Sequence, residues 1–135
     1  MSTFSPYTKL SRRYPKLSLS EERQLIAQAK QGSTESSQEL VLRHVSFVIF
    51  RLHKRVFPRL LQRFGEELLS SAIPVLYQKI TTYDLDYCDK HGHPKPVKFV
   101  SYIWKRIDGF ILDSLKEELR QDRLVRQALD TDATW

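Results

Sequence analysis

The chain has 135 residues, of which 41% are hydrophobic and 28% charged, a composition typical of one globular domain and not of a disordered or fibrous protein. Its formal net charge of +6 favours a polyanionic partner such as nucleic acid. A single cysteine, Cys88, excludes an internal disulfide, and no stretch approaches the roughly 20 apolar residues of a membrane span, so we expect a cytoplasmic protein with no membrane segment.

The chain begins with a segment that predicts a basic flexible arm, residues 1–16, which is polar and contains two prolines. A first helix is indicated directly after it. Ser18 and Glu21 have the spacing of a capping box, which marks the start of a helix. Gly32 predicts its end, because glycine readily adopts the left-handed conformation that terminates a helix.

A second and longer helix is predicted from about Glu35 to Val56, between a start signal at Ser33 and a stop at Pro58. It is apolar almost all round its middle, which predicts a position at the centre of a helical bundle. Its core positions are Leu40, Val41, Val45, Val48, Ile49, Leu52 and Val56.

The next stretch predicts a short amphipathic turn over residues 58–65 and then a helix from Glu67 to Thr82. Pro74 falls inside that helix, so either the helix kinks there or two short helices meet. A loop follows from Tyr83 to Val97. It contains Cys88-x-x-His91-x-His93, three residues of the types that bind zinc, but the spacing matches no standard zinc module and we expect no metal.

Residues 98–120 predict one long helix with two different faces, at about 100° per residue. One face is apolar and is expected to be buried: Phe99, Ile103, Ile107, Phe110, Ile111, Ser114 and Leu115. The other is basic: Lys98, Tyr102, Lys105, Arg106, Gly109, Asp113, Lys116 and Arg120. A glycine inside a helix costs roughly 1 kcal/mol relative to alanine, so Gly109 suggests the close approach of another backbone. The simpler alternative is a solvated charged face.

No constellation of catalytic residues is evident. The sequence contains no G-x-G-x-x-G, no G-x-x-x-x-G-K-[ST] and no G-x-S-x-G motif. We therefore expect a protein that is not an enzyme and that uses no cofactor.

The stretch from Phe99 to Lys116, FVSYIWKRIDGFILDSLK, resembles regions 2.3 and 2.4 of bacterial sigma-70 family factors, and most closely the flagellar and sporulation branch. That branch has the pattern F-S/T-T-Y-A-x-x-R-I-R-G-A-M-x-D-x-L-R. The ungapped matches are Phe99, Tyr102, Arg106, Ile107, Gly109, Asp113 and Leu115. Upstream, residues 67–76 with Tyr83-Asp84 are similar to region 2.2, residues 40–48 to region 2.1, and residues 17–22 to the segment before it.

The resemblance covers residues 17–120 and implies an all-α, compact helical bundle of the sigma region 2 type. Such a domain docks on the clamp helices of the RNA polymerase core and captures the melted non-template strand of the −10 promoter element. The implied DNA-binding residues are Lys98, Tyr102, Trp104, Lys105, Arg106, Gly109, Lys116 and Arg120, where Trp104 either stacks on a base or packs at the core edge. The implied polymerase-binding residues are Glu67, Leu68, Ser70, Ser71, Leu76 and Asp84.

The sequence also departs from the family pattern. Ser70-Ser71-Ala72 replaces the Q-E-G of the polymerase contact, Pro74 lies close by, and Asp108 stands where the family has a positive residue. The loop from Tyr83 to Phe99 is also longer than usual. Residues 121–135 are too few for the helix-turn-helix of region 4, so we expect a tail or the start of a linker there.

Three functions therefore remain open. In the first, the domain is a promoter-recognising sigma domain, either as a fragment of a longer factor or as half of a split factor whose region 4 is on a separate protein. Alternatively, it is an interaction module with this fold, a regulator or decoy that binds a transcription partner or an anti-sigma factor without opening promoters. The third alternative is a general basic nucleic-acid binder.

Overall fold

The computed structural model describes residues 4, 6, 9 and 12–133, with the side chains of residues 131–133 left out. Four helices with defined bounds make up most of the described chain: α1 (Leu19–Lys30), α2 (Thr34–Arg55), α3 (Pro58–Thr82) and α4 (Phe99–Ala133). They pack into a compact all-α arrangement, so the predicted fold class is confirmed. None of these helices is long and apolar enough to cross a membrane.

Helix α1 begins and ends where its sequence signals predict. The Ser18 hydroxyl accepts a hydrogen bond from the backbone of Glu21, whose carboxylate in turn accepts one from the backbone of Ser18. At the other end, Gly32 has a φ of +103°, and Ser33 N–H donates to the Gln28 carbonyl at 3.1 Å. This Schellman arrangement satisfies carbonyls that the helix end would otherwise leave unpaired, and it turns the chain directly into α2.

Helix α2 lies at the centre of the bundle and packs against α1, α3 and α4. All seven core positions predicted for it are buried, with exposed fractions between 0% and 8%. Burial of one such aliphatic side chain contributes about 1.5 to 3 kcal/mol to folding. Helix α2 therefore lies at the centre because apolar residues occur on most sides of it and have to be buried.

Helix α3 runs without interruption from Pro58 to Thr82, so the separate turn predicted over residues 58–65 is wrong. Pro58 occupies the first turn of the helix. A backbone N–H at this position would have no acceptor within the helix, so proline removes no helical hydrogen bond. Gly65 is buried and gives room to Phe4, whose ring atom Cζ would lie 2.9 Å from a Cβ at this position. Pro74 lies within the helix with its side chain exposed. Two helices do not meet there.

Helix α4 is longer than predicted, since it continues past Arg120 to Ala133 through the segment expected to be a tail or linker. Its buried face matches the prediction at Phe99, Ile103, Ile107, Ile111 and Leu115, whereas Phe110 and Ser114 are half-buried. Near its far end, Asp122 forms ion pairs with Arg63 of α3 and with Arg126. These pairs tie the extension of α4 to the start of α3.

Half of the N-terminal segment, which was expected to be a flexible arm, lies outside the described residues. Of the part that is described, Phe4 is buried in the core and makes an edge-to-face contact with His53 at 5.6 Å between ring centroids. The ring of Tyr14 lies 5.1 Å from the Arg43 guanidinium. At least these two residues are packed on the bundle.

Candidate nucleic-acid interface

The basic face of α4 is exposed along the whole length predicted for it. The exposed residues are Lys98, Lys105, Arg106, Gly109, Asp113, Lys116 and Arg120. A Cβ built on Gly109 would have no atom within 4 Å, so this glycine faces open space. Arg120 differs from the others because Glu117 accepts two hydrogen bonds from its guanidinium, which raises the pKa of Arg120.

Tyr102 lies near the N-terminal end of this face, half-buried and held in a fixed orientation. Its hydroxyl donates a hydrogen bond to Thr82 Oγ1 at 2.8 Å, at the end of α3. The ring makes an edge-to-face contact with Tyr83 at 5.4 Å, and Lys79 Nζ lies 4.2 Å from its centroid. A cation at this distance from an aromatic ring is attracted to the ring face. Tyr102 is therefore a positioned aromatic ring with positive charge beside it.

Next to Tyr102 is a cavity of about 400 Å³ that sequence reasoning did not anticipate. Its walls come from the loop after α3 and from the first turn of α4: Tyr83, Asp84, Tyr87, Lys95, Val97, Ser101 and Tyr102. Burial raises the pKa of the Tyr83 hydroxyl, which donates a hydrogen bond to the Val97 carbonyl. Tyrosines 83 and 87 were visible in the sequence, but nothing in their spacing indicates that they meet Tyr102.

The loop forming this cavity is built around its own hydrogen bonds. Asp89 Oδ1 accepts from the backbone N–H groups of His91 and His93 at 2.8 and 3.0 Å, and Lys95 N–H donates to the Tyr87 carbonyl at 2.9 Å. Gly92 provides the turn with a φ of +80°. The loop therefore has a defined conformation that places Tyr87 at the cavity, and it is not only a solvated connection.

Helix α1 fixes the base of the same loop. Arg23 donates to the Leu85 carbonyl at 2.7 Å, and Lys30 Nζ donates to the carbonyls of Thr81 and Tyr83 at 2.9 and 2.7 Å. Glu22 accepts the first N–H of α4, from Phe99, at 2.7 Å. Cations at the end of α3 and a carboxylate at the start of α4 both complement the helix dipoles. Three polar residues of α1 thus position both sides of the cavity.

Trp104 lies on the other side of α4 from Tyr102, because two residues correspond to about 200° around the helix axis. It is 39% exposed, and its ring lies 5.8 Å from the Arg51 guanidinium of α2 and 5.7 Å from Lys105 Nζ. The two aromatic residues assigned to DNA binding therefore have different surroundings. Tyr102 belongs to the cavity and Trp104 to the junction of α4 with α2.

Asp108, the acidic residue that departs from the positive residue of the family pattern, is 9% exposed and does not lie on the basic face. Its carboxylate accepts two hydrogen bonds from Arg51 and lies 3.8 Å from Arg55. These bonds raise the pKa of Arg51. Two arginines thus lie beside one buried carboxylate, so the net charge at this part of the surface is positive.

The residues assigned to polymerase binding do not form one surface. Glu67, Ser70 and Ser71 are exposed on α3, but Leu68 and Leu76 are 1% and 0% exposed and belong to the core. Sequence periodicity does indicate that both leucines are apolar core positions. The sixth residue of the set, Asp84, lines the tyrosine cavity instead.

No metal site is found where the loop offered zinc-binding residue types. Cys88 is exposed, and the rings of His91 and His93 have centroids 6.4 Å apart. Within the described ranges, no three side chains of His, Cys, Asp or Glu stand close enough to hold a metal ion.

Comparisons of this chain with protein-family models, with curated proteins and with solved structures give no match.

Proposed function

We propose that this chain is a transcription initiation domain of the sigma region 2 type, which binds the RNA polymerase core and holds the melted non-template strand of the −10 promoter element. The observation that carries the proposal is the exposed basic face of α4, which ends at a cavity lined by three tyrosines. The motif resemblance over residues 99–116 supports the same assignment. An isolated basic helix would suit any polyanion, but the adjoining aromatic cavity suits an unpaired base.

The chemistry of this surface fits a single strand better than a duplex. Unpaired bases stack on aromatic rings, at about 1 to 3 kcal/mol per base, while cations follow the phosphates. Tyr102 supplies a ring in a fixed orientation, and Lys95 and Lys79 lie beside it. Lys105 and Arg106 continue the positive charge along α4. In the proposed complex one base enters the cavity and the backbone of the strand crosses near Gly109.

For the polymerase contact, the exposed side of α3 is the proposed surface, with Glu67, Ser70 and Ser71 as its available side chains. Glu67 lies beside Glu118 of α4, and burial followed by the Glu67 charge raises the pKa of Glu118. Because Leu68 and Leu76 are buried, neither of these two side chains is available for this contact.

Strand capture is tested with fluorescence anisotropy of labelled single-stranded oligonucleotides at fixed salt. We expect tighter binding of a −10-like strand than of a scrambled one. Tyr102→Ala should weaken binding of the −10-like strand by about tenfold or more, since a stacked base is lost. Tyr102→Phe keeps the ring and should bind nearly as the parent does. Tyr77→Ala removes a tyrosine of α3 that is 38% exposed and does not line the cavity; it is the matched control, with no change expected.

Polymerase binding is tested by pull-down of purified core enzyme with the tagged chain. Ser71→Arg places a long charged side chain on the proposed α3 surface and should abolish the interaction. Gln62→Arg makes the same kind of change at another exposed position of α3 and should not. If the parent chain fails to bind core enzyme, the sigma assignment is wrong.

A second candidate is an interaction module that binds a transcription partner without opening promoters. The polar Ser70 and Ser71 on α3, in place of the family's contact sequence, favour it. It predicts that the triple variant K105A/R106A/K116A keeps both partner binding and regulatory effect. If the triple variant loses both its regulatory effect and its binding of the −10 strand, this candidate is contradicted. Equal affinity for −10-like and scrambled strands would instead indicate a general nucleic-acid binder.

A further inference from the structure

A second group of aromatic and cationic side chains lies where α2 crosses α4, outside the tyrosine cavity. We call it the α2–α4 patch, and it consists of Phe50, Arg51, Arg55, Trp104 and Lys105. Phe50 is 55% exposed and Trp104 39% exposed. The Arg51 guanidinium is near both rings, 6.0 Å from the Phe50 centroid and 5.8 Å from the Trp104 centroid. Only Trp104 and Lys105 of this group were indicated by the sequence.

Asp108 holds the central arginine of the patch in place. Its carboxylate accepts a hydrogen bond from Arg51 Nε at 2.7 Å and a second one from Nη2. This two-point contact fixes the plane of the guanidinium, which a single contact would leave free to rotate. The side chain of Arg51 is 17% exposed and that of Asp108 13% exposed, so solvent screens the pair only weakly.

The patch carries a net positive charge despite the aspartate. Arg51, Arg55 and Lys105 contribute three positive charges against one negative charge, and Arg55 remains 45% exposed at its side chain. A ligand that covers both aromatic rings must therefore carry negative charge at its edge and a flat apolar surface at its centre. Nucleotides of a single strand combine these two properties, because bases stack on aromatic and guanidinium planes while phosphates pair with cations.

We infer that the α2–α4 patch is a second stacking subsite for an unpaired base, with Phe50 and Trp104 as aromatic surfaces and Arg51 held near both rings by Asp108. The inference rests on the proposed function, in which the basic face of α4 carries the strand. Tyr102 and Trp104 project from opposite sides of α4. Lys105 connects the two, because it is exposed on the basic face and its Nζ lies 5.7 Å from the Trp104 centroid. A strand that leaves the face at Lys105 therefore reaches the patch.

The test uses the fluorescence of Trp104. The chain has two tryptophans, so the variant Trp135→Phe leaves Trp104 as its only one. Titration of this variant with unlabelled single-stranded DNA should quench the Trp104 emission, with the same midpoint as anisotropy of a labelled strand. In the same background, Phe50→Ala should weaken binding by between about fivefold and about a hundredfold. Phe50 is an exposed side chain, so this variant should melt close to the parent temperature.

Arg51→Lys is the second variant, because it keeps the charge that Asp108 requires and removes the planar guanidinium. It should also weaken binding and reduce the quenching. Leu129→Ala is the matched control, since it truncates a side chain that is 61% exposed on the far part of α4. It should bind as the parent does.

The outcomes separate this inference from the proposed function. If Tyr102→Ala weakens binding but Phe50→Ala and Arg51→Lys do not, and Trp104 is not quenched, the patch is not a subsite and the proposed function stands. If Phe50→Ala weakens binding of −10-like and scrambled strands equally, and core polymerase does not bind, the patch stands and the proposed function is wrong. If the parent chain binds no single-stranded DNA, both are wrong.

Discussion

Replacement of Gly109 by alanine gives two opposite expectations, one for stability and one for binding. Gly109 lies in the interior of α4, and a Cβ built on it meets no atom within 4 Å. The chain's own packing therefore gives no reason for glycine at this position. Alanine is about 1 kcal/mol more favourable than glycine inside a helix. For a domain of this size that gain raises the melting temperature by about 3 to 5 °C.

Strand binding should move in the other direction. The added methyl group would project from the exposed face between Arg106 and Asp113, where the proposed strand backbone passes. We expect binding of a −10-like single strand to weaken about tenfold, which equals about 1.4 kcal/mol. The assays are thermal melting by circular dichroism and anisotropy at fixed salt. Gln62→Ala, at an exposed position of α3, is the control for a helix substitution far from this face.

Either half of this reasoning can be refuted separately. A Gly109→Ala variant that is more stable and binds the strand as tightly as the parent would show that no backbone approaches the helix at this glycine. A variant that is less stable than the parent would show that the open space beside Gly109 was misjudged.

Three further predictions concern stability. His44 is buried, and burial lowers its pKa from the ordinary value of 6.5 despite nearby Glu22, so the neutral form is favoured on folding. The contribution of neutral His44 to the free energy of unfolding is therefore complete above pH 6.5 and is lost as the pH falls below that value. His44→Asn should flatten this part of the plot of melting temperature against pH. Asp108→Ala leaves Arg51 without its partner and should lower the free energy of unfolding by about 1 to 3 kcal/mol in urea titrations. Gly32→Ala, at a φ of +103°, should lower it by about 1 kcal/mol although the space beside it is open.

Each of these has its own control. For the pH profile, Gln62→Ala replaces an exposed residue of α3 that has no titratable group, and it should leave the slope between pH 7.5 and 5.5, roughly one unit either side of the unfolded pKa of histidine, as in the parent. For the ion pair, the double variant R51L/D108L should recover part of the stability lost in Asp108→Ala, and no recovery would contradict the role given to the pair. For Gly32, a Gly32→Ala variant with the same free energy of unfolding as the parent would contradict the role of this glycine in ending α1.

Local signals in the sequence were sufficient for both ends of α1, for the core positions of α2 and for most of the buried face of α4. Ser18, Glu21 and Gly32 act within a few residues of their own positions, so capping and termination of α1 could be predicted without tertiary information. The same is true of the apolar residues of α2, whose spacing depends only on helix geometry. The basic face of α4 was predicted for that reason too, because charged residues opposite a buried stripe must face outward.

Helix continuity was less predictable. Gly65 and Pro74 both disfavour a helix locally, and this led to the wrong division of α3. In the folded chain Gly65 gives room to Phe4, and Pro74 lies on the exposed side of a helix held by buried neighbours such as Ala72 and Leu76. Tertiary packing supplies more stability to such a helix than local propensity removes.

The candidate site itself depended on contacts between distant parts of the chain. The partners that orient Tyr102, Thr82 and Lys79, lie about twenty residues away, and Arg51 lies 57 residues from Asp108. A single sequence gives the residue types on each helix face but not which faces meet. The sequence thus determined a bundle with one cationic face. Only the tertiary structure decided that the N-terminal end of this face adjoins a tyrosine cavity and that its Lys105 side adjoins an arginine fixed by a buried aspartate. The physical reason is that periodicity fixes direction around one helix axis, while the meeting of two helices depends on packing across the whole core.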